Sequence, residues 1–294
     1  MSYDLFIFPE TFDANAIRAH FEARAWYGVG PDQAWYANEE TGVYFGFDIL
    51  ENPEAEEESE PRQPHIAFNL NFFRPHTFGL EAEPEIAAFL ARFPGRTHDP
   101  QLMGDEPYSR DGLLKGWNNG NRAAFRAMAG HGADAPLLAE PAHIESAWRW
   151  NYNRRALQEK LGDNVFVPRI VWLQPSPGAA PIRCATWTFG IPSMIPEALI
   201  THVVLVRQKR PPLLKVFSRK HEEPGTELKL LGIESGIHLR GVERGEVDGM
   251  PVLFTPVTGP LEMQALFSGA WPQPQFKVVP TETVLGSDLA APAA

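Results

Sequence analysis

From position 66 onward, Ile66, Phe68, Leu70 and Phe72 alternate with Ala67, Asn69, Asn71 and Phe73. A period of two sends the two sets to opposite faces of a strand, so this segment is a half-buried strand that must join a sheet packed on a core. The flanking sequence supplies companions. Tyr3–Phe8 is a short aromatic-rich run closed by Pro9, and Asp13 can cap a helix to Arg24 that carries Ala16, Ile17, Ala19 and Phe21. Gln33–Ala37 and Gly42–Ile49 make a hairpin turned at Asn38–Thr41. In its second arm both alternating sets contain aromatics, which predicts a central strand. Glu83–Phe93 is a helix with Pro84 in its first turn and Gly95 just past its end. The order strand, helix, three strands, helix predicts an antiparallel sheet with helices on one face, a variant of the ferredoxin-like sandwich.

Residues 106–162 change character. Ser109 can cap a helix in which Gly112, Gly116 and Gly120 recur every fourth position. Each costs about 1 kcal/mol against Ala, so either the helix breaks there or another backbone comes close. Helical pattern resumes over Asn121–Ala129. A longer helix, Pro141–Leu161, places Ile144, Trp148, Tyr152, Ala156, Leu157 and Leu161 on one apolar face, and Gly162 stops it. From 163 onward strands dominate. Val165–Leu173 and Ile182–Phe189 form a hairpin, followed by Thr201–Val206, Leu213–Phe217, Glu227–Leu231, Ile237–Val242, Pro251–Thr255 and Gln275–Val279. A short helix covers Leu261–Phe267, and Leu289–Ala294 reads as a frayed tail. The expected class is α+β: an acidic ferredoxin-like antiparallel domain with helices (1–105), a central helical connector (106–162) and a C-terminal β-rich α+β domain (163–294).

Charge divides along the same line. Residues 1–105 hold 19 Asp and Glu against six Arg and no Lys, a net of −13, while residues 106–294 sum to +2 and the whole chain to −11. Nucleic acid is a poor partner for the first region, because phosphate contacts need Lys and Arg. A cationic protein is a better one, since clustered charge speeds encounter with its opposite. Six glutamates between Glu51 and Glu60 form a solvated loop or a steering surface, and six bases between Arg207 and Lys220 read as gatekeepers on an edge hairpin or, less readily, as an anion site.

No phosphate loop, dinucleotide fingerprint, His-Glu-x-x-His or nucleophile elbow occurs. A single cysteine, Cys184, excludes an internal disulfide framework and a thiolate zinc site. It lies in an apparent strand, where free Cys is usually a small buried hydrophobe rather than a nucleophile. The histidines are scattered, so neither a metal nor a cofactor is expected. No leader or membrane span is seen, and a cytoplasmic, non-membrane setting is expected. One constellation stands out. Trp117, Asn118, Asn121 and Arg122, and Trp150, Asn151 and Arg154, share a Trp–Asn–Arg vocabulary in the helical connector. Such residues anchor interfaces because they bury area and hydrogen-bond at once. They serve either as glue between domains and helix caps, or as a binding site at the domain junction.

The segments Thr41–Phe45, Phe68–Asn71, Arg74-Pro75 with Phe78–Ala82, then Val165–Pro168, Thr186-Trp187 and Gly190–Pro192 resemble those of a group of uncharacterised bacterial cytoplasmic proteins. The resemblance covers most of the chain and implies no activity. Some such stand-alone proteins look like immunity partners of secreted toxins. The expectation is therefore a non-enzymatic protein-binding module, in its specific form an immunity-type inhibitor of a bacterial toxin. The alternative is an enzyme acting on a small anionic substrate at the domain junction.

Overall fold

The computed structural model describes residues 1–51, 63–101, 107–129, 136–188, 190–208, 226–233, 242–247, 249–255 and 276–290. The acidic loop beyond Glu51, the side chains of the basic 207–220 stretch, the segments expected at Leu213–Phe217 and Leu261–Phe267, and all but Val242 of the strand expected at Ile237–Val242 lie outside the described residues. The chain forms two compact units, Met1–Glu145 together with Glu282–Ala294, and Ser146–Thr281.

The first unit opens with β1 (Ser2–Pro9), α1 (Ala14–Glu22), β2 (Tyr27–Val29), β3 (Gln33–Asn38), β4 (Val43–Leu50), β5 (His65–Asn71), α2 (Thr77–Arg92) and β6 (Gly95–His98). The six strands lie in the order β2-β3-β4-β5-β1-β6, every neighbour antiparallel. Taken without β2 and β3, the order β4-β5-β1-β6 is that of a ferredoxin-like sheet with α1 and α2 as its two crossovers. The α+β class with an N-terminal antiparallel sheet is thus what the chain adopts. The extra strands come from the chain entering the sheet at its far edge after α1 and working inward through two hairpins. Asp13 caps α1 as expected, accepting from the amides of Asn15 and Ala16.

Three expectations need correction here. The strands β2 and β6 are three and four residues long, too short for an alternation to be read from sequence, and β6 is largely exposed. Helix α2 begins at Thr77, six residues before the expected Glu83, and contains Pro84 in its interior. Proline there withholds one bond, from position 84 to the Leu80 carbonyl, which a helix held by packing tolerates. Gly79 lets α2 approach the Leu114 and Trp117 side chains, 3.3 Å from where a Cβ would sit.

The inner face of the sheet is a close-packed aromatic core. Leu5, Ile7, Phe45, Phe47, Ile66 and Phe68 meet Ile17, Phe21, Ile86 and Phe89 of the helices, all buried. Phe21 and Phe89 stack at 5.5 Å and 9°, and Phe47 meets Phe68 at 5.1 Å. The alternation along β4 and β5 selects these residues for the helix side and leaves Tyr44, Asp48, Ala67 and Asn69 on the other.

Helix α3 (Arg110–Ala129) runs through its three glycines unbroken and is capped by the Ser109 hydroxyl, which accepts from the Gly112 amide at 3.1 Å. The close neighbours are side chains rather than a backbone: a Cβ at Gly116 would sit 3.0 Å from the Tyr3 ring, and one at Gly120 2.3 Å from Phe72. After β7 (Leu137–Ala139) comes α4 (Pro141–Leu161).

The second unit contains β8 (Ile170–Gln174), β9 (Ile182–Thr188), β10 (Ser193–Ile195), β11 (His202–Gln208), β12 (Thr226–Gly232), β13 (Glu243–Val247), β14 (Met250–Thr255) and β15 (Lys277–Val279). They form a five-stranded sheet, β12-β11-β9-β8-β15, and a three-stranded one, β10-β14-β13. Leu173, Cys184, Val204 and Leu230 share a buried cluster. The chain then returns to the first unit, where β16 (Val284–Gly286) pairs in parallel with β7, and Leu285 and Leu289 bury against Phe125. The stretch expected to fray from Leu289 is therefore anchored at its start by an apolar side chain.

Gly95 tests the tight edge of the first sheet. A Cβ there would lie 2.1 Å from the Phe8 carbonyl oxygen and 2.7 Å from Pro9 Cα, so backbone must move. Gly95→Ala should lower stability by about 1–3 kcal/mol. Gly28→Ala, with nothing within 4 Å of the added methyl, should stay within about 0.5 kcal/mol of the parent in urea unfolding.

Candidate functional site

The two Trp–Asn–Arg boxes belong to different units, Trp117–Arg122 to the first and Trp150–Arg154 to the second. In the first unit Trp117 is fully buried and its indole N–H has no acceptor among the described residues. Asn121, 1% exposed, binds backbone: its Oδ1 accepts from the Phe73 and Arg74 amides, and its Nδ2 donates to the Arg74 carbonyl at 2.7 Å. Phe73 has a φ of 63°, a left-handed conformation costly for a bulky residue. The Asn121 amide holds that strained turn at the exit of β5. Asn118 is half-buried, and Arg122 lies 4.0 Å from Asp288.

In the second unit the same residue type does the same work. Asn151 is 1% exposed and grips Ile170 on both sides, donating to its carbonyl at 2.9 Å and accepting from its amide at 2.8 Å. Trp150 donates to the Pro168 carbonyl at 2.8 Å and Arg154 to the Val167 carbonyl at 3.0 Å. Gln158 accepts from the Val167 amide and donates to the Val165 carbonyl. One helical face thereby satisfies backbone groups of Val165, Val167, Pro168 and Ile170, while the backbone of Phe166 pairs with Pro192 and Met194. This explains two departures from expectation. Strand β8 starts at Ile170 rather than Val165, and the buried face of α4 runs through Ile144, Ala147, Trp150, Asn151 and Leu157, while Tyr152 is 46% exposed. Cys184 is fully buried and its thiol is pushed up to about 12 by burial, so it is an inert core residue.

The first unit also buries carboxylates. Glu81, 3% exposed, accepts through one oxygen from the Tyr36 hydroxyl (2.8 Å), Asn38 Nδ2 (2.7 Å) and the Thr41 hydroxyl (3.0 Å). Tyr27 donates to Glu85, which also takes a two-point grip from Arg24, and Tyr108 donates to Glu83. Tyr3 donates to Asp99. Burial first, and the neighbouring carboxylate second, raise the hydroxyl pKa of all four tyrosines.

What sequence reasoning missed is the outer face of the first sheet. Register aligns Trp35, Gly46, Asn69 and Asp4 in one row across β3, β4, β5 and β1, and Gln33, Asp48, Ala67, Phe6 and His98 in the next. The floor of this face is small at Gly46 and Ala67. Two carboxylates flank it. Asp4 is held by Asn69 Nδ2 (2.6 Å) and Ser2, and Asp48 by Gln33 Nε2 (2.7 Å). Neither has a cationic partner among the described residues, whereas Glu51, Glu83 and Glu85 pair with Arg18, Arg110 and Arg24. Trp35, 41% exposed, stands on the same face, diagonal to Asp48 and three strands from Asp4. The available signal was the pairing of Trp35 with Gly46, but it needs the hairpin register to be seen. Among the described residues no group of His, Cys, Asp and Glu could hold a metal ion, and no helix is long and apolar enough to cross a membrane.

Scans against family models, curated proteins and solved structures returned no significant match.

Two results are expected. Each buried group deprived of its partner costs about 1–3 kcal/mol, so Asn151→Ala should cost at least about 2 kcal/mol and speed hydrogen exchange at the Ile170 amide. Asn151→Asp should not rescue it, because a carboxylate oxygen would face the Ile170 carbonyl. For the tyrosines, the folded pKa lies above the unfolded value of about 10, so their stabilisation is complete below about pH 10 and is lost as pH rises further. Phenolate absorbance should show Tyr3, Tyr27, Tyr36 and Tyr108 ionising together with unfolding, not before it.

Proposed function

We propose that the protein is a non-enzymatic binding module whose outer N-terminal sheet face docks a cationic protein. The observation that carries this reading is the conjunction of an exposed Trp35 with Asp4 and Asp48, two carboxylates oriented by neutral donors and lacking a cation among the described residues. Aromatic anchors beside unpaired charge are what a partner-binding surface offers, with charge setting encounter rate and specificity. The net charge of −13 over residues 1–105 supports the sign of the partner. Buried Asn121, Asn151 and Trp150 engage their polar groups with the protein's own backbone, which counts against the alternative of a substrate site built from them. An immunity-type inhibitor that masks a basic toxin is the specific form that the sequence resemblance favours. The free Cys184 thiol is consistent with a cytoplasmic setting.

The test is capture of a stoichiometric basic partner from the native host by the full chain, followed by affinity measurement. Asp4→Asn combined with Asp48→Asn should weaken that complex at least about tenfold and flatten its salt dependence. Unchanged affinity and salt slope would exclude this face as the docking surface.

A further inference from the structure

The outer face stacks guanidinium groups on its own aromatics. Arg96 lies 4.0 Å over the Phe8 ring, and Arg74 lies 5.5 Å from the Tyr44 ring while its Nε donates to the Tyr44 hydroxyl at 2.9 Å. Trp35 is the largest ring on that face, 41% exposed, and among the described residues no cation stacks on it. Its indole stacks on Tyr44 at 5.7 Å and 26°. It also lies against Gly46, where a Cβ would be 3.3 Å from Cε3, so the absence of a side chain at 46 lets the ring rest on the sheet. Trp35 pairs with Gly46 and Gln33 with Asp48, which puts Asp48 at one diagonal position from Trp35 on the same face, with Tyr44 at the other. Gln33 occupies Asp48 Oδ1, and Oδ2 has no partner among the described residues.

We propose that Trp35 and Asp48 form an arginine-anchoring subsite, in which a partner's guanidinium stacks on the indole and donates to Asp48 Oδ2. This deepens the docking reading above and rests on it. The geometry selects arginine over lysine, because a planar guanidinium can lie on a ring and still donate in its plane, which an ammonium cannot.

Calorimetric titration of the full chain with oligo-arginine and oligo-lysine peptides of equal length tests the subsite. The parent should bind oligo-arginine more tightly. Trp35→Leu should lose about threefold to thirtyfold in oligo-arginine affinity and lose the preference over oligo-lysine. Trp35→Tyr, which keeps a π face, should retain most of both and guards against misreading a folding defect. Asp48→Asn should weaken arginine and lysine peptides alike. Equal binding by the parent and Trp35→Leu, with Asp4 and Asp48 still required, would overturn the arginine anchor and leave the docking face standing. Peptide binding insensitive to Asp4, Asp48 and Trp35 together would overturn both.

Discussion

The antiparallel registers of β5 against β1 and β4 determine almost everything distinctive about the first unit. They align Phe68 with Leu5 and Phe47 on the helix side and Asn69 with Asp4 and Gly46 on the other. A slip of β5 by one residue would invert its side chains, sending Ile66, Phe68 and Leu70 outward and Ala67 and Asn69 into the core. The strong burial of Phe21, Phe45, Phe47, Phe68 and Phe89 therefore secures the core and, in the same step, the composition of the outward face.

The second recurring device is a buried asparagine that stands in for a missing strand. Asn121 secures the left-handed turn at Phe73, and Asn151 secures Ile170 at the start of β8. Both lie beside a buried tryptophan in similar short sequences. A shared vocabulary of Trp and Asn here reflects one structural problem met in two places: irregular backbone that must pass through a dry interior needs its amides and carbonyls paired.

Much of this was legible from residue order and some was not. The β3–β4 hairpin, β5, α1 with its Asp13 cap, and the limits of α4 follow from periodicity and capping chemistry. The start of α2 was not legible, because Gly79 and Pro84 lower local helix propensity while packing on Trp117 and Leu114 overrides it. The buried face of α4 was misread for a related reason: Asn151 is polar by type yet buried because Ile170 satisfies it, while Tyr152 is apolar by period yet exposed. The outer-face site could not be found from alternation alone. Trp35, Gly46 and Asp48 belong to one hairpin, but Asp4 is distant in sequence, and only strand register brings all four onto one face.

The outward face of the first sheet is where a partner is proposed to land. Backbone and indole N–H NMR shifts of the full chain, followed during titration with the captured partner, test this most directly. A partner docked on this face should perturb chiefly the Trp35 indole and the amides of Gly46, Asp48, Ala67 and Asn69. Changes confined to the segments around Trp117–Arg122 or Trp150–Arg154, with the Trp35 signal unmoved, would contradict it.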